Sequence, residues 1–199
     1  MIKIKSLSKH FSDKTALDDI SISINEGEFI AITGPSGSGK STLLNIISGL
    51  DTPTSGTLSK HYPAEIGFVF QEFHLEPKLT VLDNILLPTF FNKQKDSKEK
   101  ALQLIKSVGL TSRKLSKAQG LSGGEKQRTA IARALICNPK IIIADEPTGN
   151  LDDKTSETII TLLKKLHKEH GKTMIIATHD QQIAKMADRI ITIKDGKLC

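Results

Sequence analysis

The chain of 199 residues is long enough for one domain of ordinary size, with room for a lobe inserted into it. Hydrophobic residues make up 38% and charged residues 25%, the balance of a globular protein, and no apolar run approaches the roughly 20 residues needed to cross a bilayer. The net charge of +6 would suit nucleic acid or an anionic membrane surface, but the lysines are scattered, and their densest stretch, Lys93 to Lys100, also carries Asp96 and Glu99, so direct nucleic-acid binding is not expected.

The first residues, Met1 to Leu7, alternate apolar and polar like a strand and carry no apolar core of a signal peptide. Ile20 to Ile24 alternates in the same way, and Phe11 falls between the two expected strands. After a turn at Asn25–Glu28, the apolar run Phe29–Ile32 feeds a glycine-rich stretch, Gly34-Pro35-Ser36-Gly37-Ser38-Gly39-Lys40-Ser41-Thr42, and then a helical run ending near Gly49. Asp51 to Gly56 has loop chemistry, and Ile66 to Phe70 reads as the next strand, ending at Gln71.

From Glu72 to about Ala118 the pattern is helical: Leu82, Ile85 and Leu86 share a face, as do Ala101, Leu104, Ile105 and Val108. Pro77, Pro88 and the charged run at 93–100 are expected to bound these helices. Leu121-Ser122-Gly123-Gly124-Glu125 opens another helix, which Asn138-Pro139 ends. Ile141–Ala144 and Met174–Ala177 are continuous apolar runs of the kind buried on both faces of a parallel sheet, with a helix over roughly Lys154 to His170 between them. A hairpin over Arg189 to Leu198, turning at Asp195-Gly196, closes the chain. The two cysteines, Cys137 and Cys199, have no metal-type spacing and fit a reducing compartment.

Such alternation implies a mostly parallel sheet, in which ligands gather at the C-terminal ends of the strands. The glycine-rich stretch, Gln71, Asp145-Glu146 and His179 each fall at such an end. A strand, a loop of this composition and a helix can cradle phosphates: backbone N–H groups point inward, the helix dipole adds positive potential, Lys40 reaches the β- and γ-phosphates and Ser41 reaches Mg²⁺. Asp145 stands where a metal-supporting carboxylate is needed, and Glu146 beside it is placed to polarise water. His179 could hold Glu146 and the γ-phosphate in line, and the Gln71 amide could ligate the metal. Ser122-Gly123-Gly124 precedes a helix and offers a second anion cradle without a second lysine, which suggests completion of another subunit's site.

Taken together these residues resemble the nucleotide-binding subunit of an ABC transporter, in order and over essentially the whole chain: Gly34–Thr42 (Walker A), Gln71 (Q-loop), Leu121–Glu125 (signature), Ile141–Glu146 (Walker B), Asn150-Leu151-Asp152 (D-loop) and His179 (switch histidine). The resemblance implies an α/β P-loop NTPase with a mostly parallel central sheet, a small N-terminal antiparallel β region and an inserted helical subdomain. The RecA-like core would span about 1–71 and 136–199, and the helical subdomain about 72–135. It also implies ATP with Mg²⁺, Phe11 stacking on adenine, and Glu146, His179, Lys40 and Gln71 in catalysis. Ser41, Gln71 and Asp145 would hold the metal, and a head-to-tail homodimer would form on ATP binding. A separate transmembrane permease would hold the subunit at the cytoplasmic face of the membrane, with Phe73, Leu75, Leu79 and Leu82 as candidates for the groove that receives it.

The stretches Ile66–Gln71, Leu79–Ile85 and Pro147–Asp152 are similar to those of the MacB/LolD/FtsE group, with the segment between the first helix and Gln71 shortened. That group implies powering export or extraction, with a peptide, bacteriocin or lipoprotein-type cargo. Regulatory signalling through a membrane partner, as in FtsE, and a soluble ABC ATPase acting on ribosomes or DNA are the other readings.

Overall fold

The computed structural model describes residues 1–59, 65–92 and 96–199, so part of the charged run (93–95) and part of the stretch expected to be shortened (60–64) lie outside the described residues. The described residues form nine strands and six α-helices in the order β1 (Ile2–Phe11), β2 (Lys14–Ile24), β3 (Phe29–Thr33), α1 (Lys40–Ser48), β4 (Ser55–Leu58), β5 (Ile66–Val69), α2 (Val81–Asn92), α3 (Ser97–Ser107), α4 (Gly123–Leu135), β6 (Ile141–Asp145), α5 (Asp153–His170), β7 (Thr173–Ala177), α6 (Gln181–Met186), β8 (Arg189–Lys194) and β9 (Lys197–Leu198). They make a three-stranded antiparallel sheet, β2-β1-β4, and a six-stranded sheet, β5-β6-β7-β3-β8-β9, parallel except for the terminal hairpin.

The buried strands explain their own composition. Successive side chains point to opposite faces. In β6, Ile142 and Ala144 enter one core while Ile141 and Ile143 enter the other; in β7, Met174 and Ile176 oppose Ile175 and Ala177. Both faces are covered, so no polar residue interrupts these runs. The first core takes Val81 and Ile85 of α2, Ala101 and Ile105 of α3, Ile131 of α4, and Ile159, Leu163 and Leu166 of α5. The second takes Leu43, Leu44, Ile46 and Ile47 of α1 and the inner face of the antiparallel sheet. Each Val, Leu or Ile among them contributes about 1.5–3 kcal/mol on burial.

Register decides where the site lies. Ile32 of β3 is level with Ala177 of β7, and Ala177 with Asp145 of β6. The glycine-rich stretch, Thr178-His179 and Glu146 therefore leave the sheet at one height.

The structure departs from the sequence pattern in two places. The first hairpin is longer than its alternation indicates: β1 runs to Phe11, which pairs with Lys14 across a two-residue turn. Register shifts after Ile4, Leu7 and Lys9 break the period-two pattern, so adjacent Leu7 and Ser8 are both buried. Pro88 does not bound a helix but lies inside α2, where a proline removes one backbone hydrogen bond.

Candidate active site

An open cleft of about 600 Å³ sits over the C-terminal strand ends. Its floor is the glycine-rich loop and the start of α1. Gly39, at φ 110°, precedes α1, and no side chain caps that N-terminus. The first N–H groups of α1 therefore have neither an intrahelical nor a side-chain acceptor and are available to an anion. A Cβ at Gly39 would stand 2.4 Å from the Ala16 carbonyl oxygen, and one at Gly34, φ 143°, would stand 2.0 Å from that of Ile193, so neither position accepts a side chain.

Gly34, Pro35, Ser36, Gly37, Gly39, Lys40, Ser41 and Thr42 all line the cleft. Ser38 does not: it is buried beneath the loop, and its carbonyl accepts from Gly196 N–H. The Lys40 ammonium donates to the Gly34 and Pro35 carbonyls at 2.9 and 3.0 Å, arched over the loop. Phe11 stands at the rim, about half exposed.

Opposite the loop are Gln71, Asp145, Glu146 and His179. Asp145 Oδ1 is buried with no hydrogen-bond partner, an unsatisfied charge-bearing oxygen facing hard-oxygen company in Ser41 and Gln71. No group of three or more His, Cys, Asp or Glu side chains forms a metal cage among the described residues. The oxygens of Ser41, Gln71 and Asp145 suit Mg²⁺, which characteristically takes one or two protein ligands and completes its shell with phosphate oxygens and water. Glu146 sits at φ 45°, an unusual conformation for a residue with a side chain, fixed by hydrogen bonds from its N–H to Ala177 and from Gly149 N–H to its carbonyl. Its Oε2 lies 2.8 Å from His179 Nδ1.

Ser122, Gly123 and Gly124 are not in this cleft. They open α4, capped by a reciprocal pair: Glu125 N–H donates to Ser122 Oγ, and Ser122 N–H donates to Glu125 Oε2 at 2.9 Å. Arg113 Nε donates to the other carboxylate oxygen. Ser122 is exposed, and Gly123 borders Leu151 and Asn150. Asn150 donates to the Gln71 carbonyl, and Asp152 caps α5. Of the residues named for the groove, Leu75 and Leu82 pack on the core, while Phe73 lines a small recess with Leu75.

Three features escaped the sequence. Lys14 lines the cleft, and its ammonium donates to the Gly37 carbonyl at 3.2 Å; its pairing with Phe11 across a tight turn was the available signal. Gly149 lies in the cleft, near Gln71. The Arg133 guanidinium forks onto the carbonyls of Phe73 and His74, tying the segment after Gln71 to α4.

A family model described as ABC transporter matches residues 17–149. An uncharacterized ABC transporter ATP-binding protein of Bacillus subtilis, YvrO, is 47% identical over 219 residues, covering all of this chain and 95% of the relative. The macrolide export ATP-binding/permease protein MacB of Chlorobaculum tepidum is 45% identical over 98% of this chain, which spans 33% of that longer protein. Among solved structures, a dimeric structure of the cassette MJ0796 superposes with a TM-score of 0.92 at 44% identity, covering 100% of this chain and 96% of that one. A dimeric post-hydrolysis state of MJ0796 bound to ADP and Pi superposes at 0.90 with 43% identity, with the same coverage. The chain belongs to the ABC transporter family, as an ATP-binding subunit with the ABC ATPase fold and activity.

Proposed function

We propose that ATP is hydrolysed in this cleft by the Glu146–His179 pair, and that two copies of the chain, joined head to tail, each complete the other's site. The observation that carries this reading is the 2.8 Å contact between Glu146 and His179, opposite an uncapped helix N-terminus that holds Lys40. The triphosphate lies along Gly34–Thr42, with Lys40 on its β- and γ-oxygens. Phe11 stacks on the base, and Lys14 adds a cation at the rim. Ser41, Gln71 and Asp145 hold Mg²⁺, which when bound offsets the charge of the phosphate oxygens. Glu146 orients a water and accepts its proton as the water oxygen bonds to the γ-phosphorus. The bond to the β,γ-bridging oxygen breaks, and its electron pair leaves with ADP. His179 holds the carboxylate in line.

Ser122, Gly123 and Gly124, which do not line their own cleft, reach the γ-phosphate of a second copy. The helical subdomain, about 72–135, moves with the nucleotide against the core, about 1–71 and 136–199. A recess of about 540 Å³ lined by Phe68, Phe70, His74 and Phe91 supports docking of a permease helix. Phe68 and Phe70 stack at 4.3 Å, and Phe91 is 88% exposed. The subunit then works at the cytoplasmic face of a membrane, powering export of a peptide, bacteriocin or lipoprotein-type cargo through a separate permease. The likeness to MacB, whose name joins an ATP-binding part to a permease, favours transport over signalling alone.

Complementation tests the shared site. Lys40→Ala and Ser122→Arg each abolish turnover alone, and mixing them restores a measurable fraction, because one site of the mixed dimer has an intact loop and an intact signature. A mixture as inactive as its components overturns the shared site.

A further inference from the structure

We propose that Lys9 is a positioning residue for the nucleotide base: it braces the face of Phe11 turned away from the cleft and so fixes the face on which a purine stacks. The inference rests on the reading of Phe11 as the stacking residue.

Lys9 and Phe11 are two residues apart on β1, with a register shift between them. The Lys9 ammonium sits over the Phe11 ring, 5.0 Å from its centroid. It is held there by two charge-assisted bonds, to Asp51 Oδ1 at 2.7 Å and to the Thr52 carbonyl at 2.8 Å. The Lys9 side chain is only 12% exposed, whereas Phe11 is 52% exposed. Lys9 does not line the cleft, but Phe11 does. One ring face is thus occupied by a fixed cation and the other is left for a ligand.

The segment that supplies Asp51 and Thr52 follows α1, the helix whose N-terminus floors the cleft. It is fastened to β1 by Thr54 N–H on the Ser8 carbonyl and by His10 N–H on Thr54 Oγ1. The phosphate end and the base end of the site are therefore joined through Lys9. The brace acts in two ways. It removes ring motion that binding would otherwise have to freeze. It also draws π-density toward the cation, which favours stacking of an electron-rich purine on the opposite face.

The test is the dissociation constant for Mg²⁺-ATP, and separately for inorganic tripolyphosphate, in Lys9→Met, Lys9→Arg, Phe11→Ala and the Lys9→Met/Phe11→Ala double variant. Lys9→Met keeps the apolar stem and is expected to weaken ATP about three- to tenfold. It should leave tripolyphosphate unchanged, and Lys9→Arg should restore ATP. In the Phe11→Ala background the Lys9→Met effect should vanish. An undiminished effect in that background, or an equal loss for tripolyphosphate, means that Lys9 acts through the fold and overturns the proposal. Unchanged ATP affinity in Phe11→Ala overturns the reading of Phe11 itself, whereas loss there with none in Lys9→Met overturns only the brace. Asp51→Asn releases the ammonium without removing it and must show a smaller, equally Phe11-dependent loss.

Discussion

Nδ1 of His179 lies 2.8 Å from Oε2 of Glu146, and the backbone N–H of His179 points at the same oxygen from 3.3 Å. One residue thus fixes the carboxylate from two directions while its ring stays 71% exposed toward the cleft side. Because the main-chain contact survives removal of the ring, His179→Ala should leave Glu146 in place but lose the ring's hold on the reacting groups. Turnover should fall about 100-fold with ATP affinity within about threefold, read by phosphate release and equilibrium binding. A fall in affinity matching the fall in turnover would place His179 in ground-state binding instead.

Gly124 is closed to a side chain for a steric reason with one identified partner. A Cβ there would meet Thr155 Cγ2 at 2.3 Å. Gly124→Ala should cost about 1–3 kcal/mol by overpacking, seen in urea unfolding. Thr155→Ser, which removes that methyl but keeps the hydroxyl bonded to Asp152, should recover most of the loss in the double variant.

Glu125 gives the cap of α4 a pH dependence. Its carboxyl is held below its ordinary 4.5, first by the Ser122 backbone N–H and then by Arg113. The folded value is the lower one, so the charge-linked stabilisation is complete above about 4.5 and is lost as pH falls through the folded value. Glu125→Gln can still form the capping pair but carries no charge. Wild type should melt higher than the variant at pH 6, and the two should converge as pH falls through the folded value, below 4.5. Parallel melting curves across that window would show that the charge contributes nothing.

The Arg133 fork acts on the segment that begins two residues after Gln71. Arg133→Met leaves two carbonyls without donors and frees that segment. Turnover should fall about tenfold with little change in ATP affinity, and Arg133→Lys should not rescue it, because a single ammonium cannot span both carbonyls in the fixed plane of a guanidinium. Full activity in Arg133→Lys would show that charge alone suffices.

The layout was legible in the sequence where one residue type has one physical reason to be there. Ile141–Ala144 and Met174–Ala177 are apolar throughout because both faces of those strands are covered, and the polar residues that end them fall at the ligand-binding edge. The glycines at 34 and 39 mark close backbone approaches that admit nothing larger. Partners made by distant chain segments left no local trace. Lys9 meets Asp51 and Lys14 meets Gly37 only after the hairpin folds over the loop. Nothing near Arg133 in the sequence announces the two carbonyls 59 and 60 residues earlier that it reaches. Local preference opposes proline within a helix, so the sequence places a boundary at Pro88, whereas α2 continues through it to Asn92.

If Glu146 drives hydrolysis in a site shared by two copies, one variant should show both in a single pair of readings. Glu146→Gln with Mg²⁺-ATP should sediment as a dimer, return to monomer with ADP, and release phosphate at no more than about one hundredth of the wild-type rate. A Glu146→Gln protein that stays monomeric with ATP and turns over at the wild-type rate would contradict both halves of the claim.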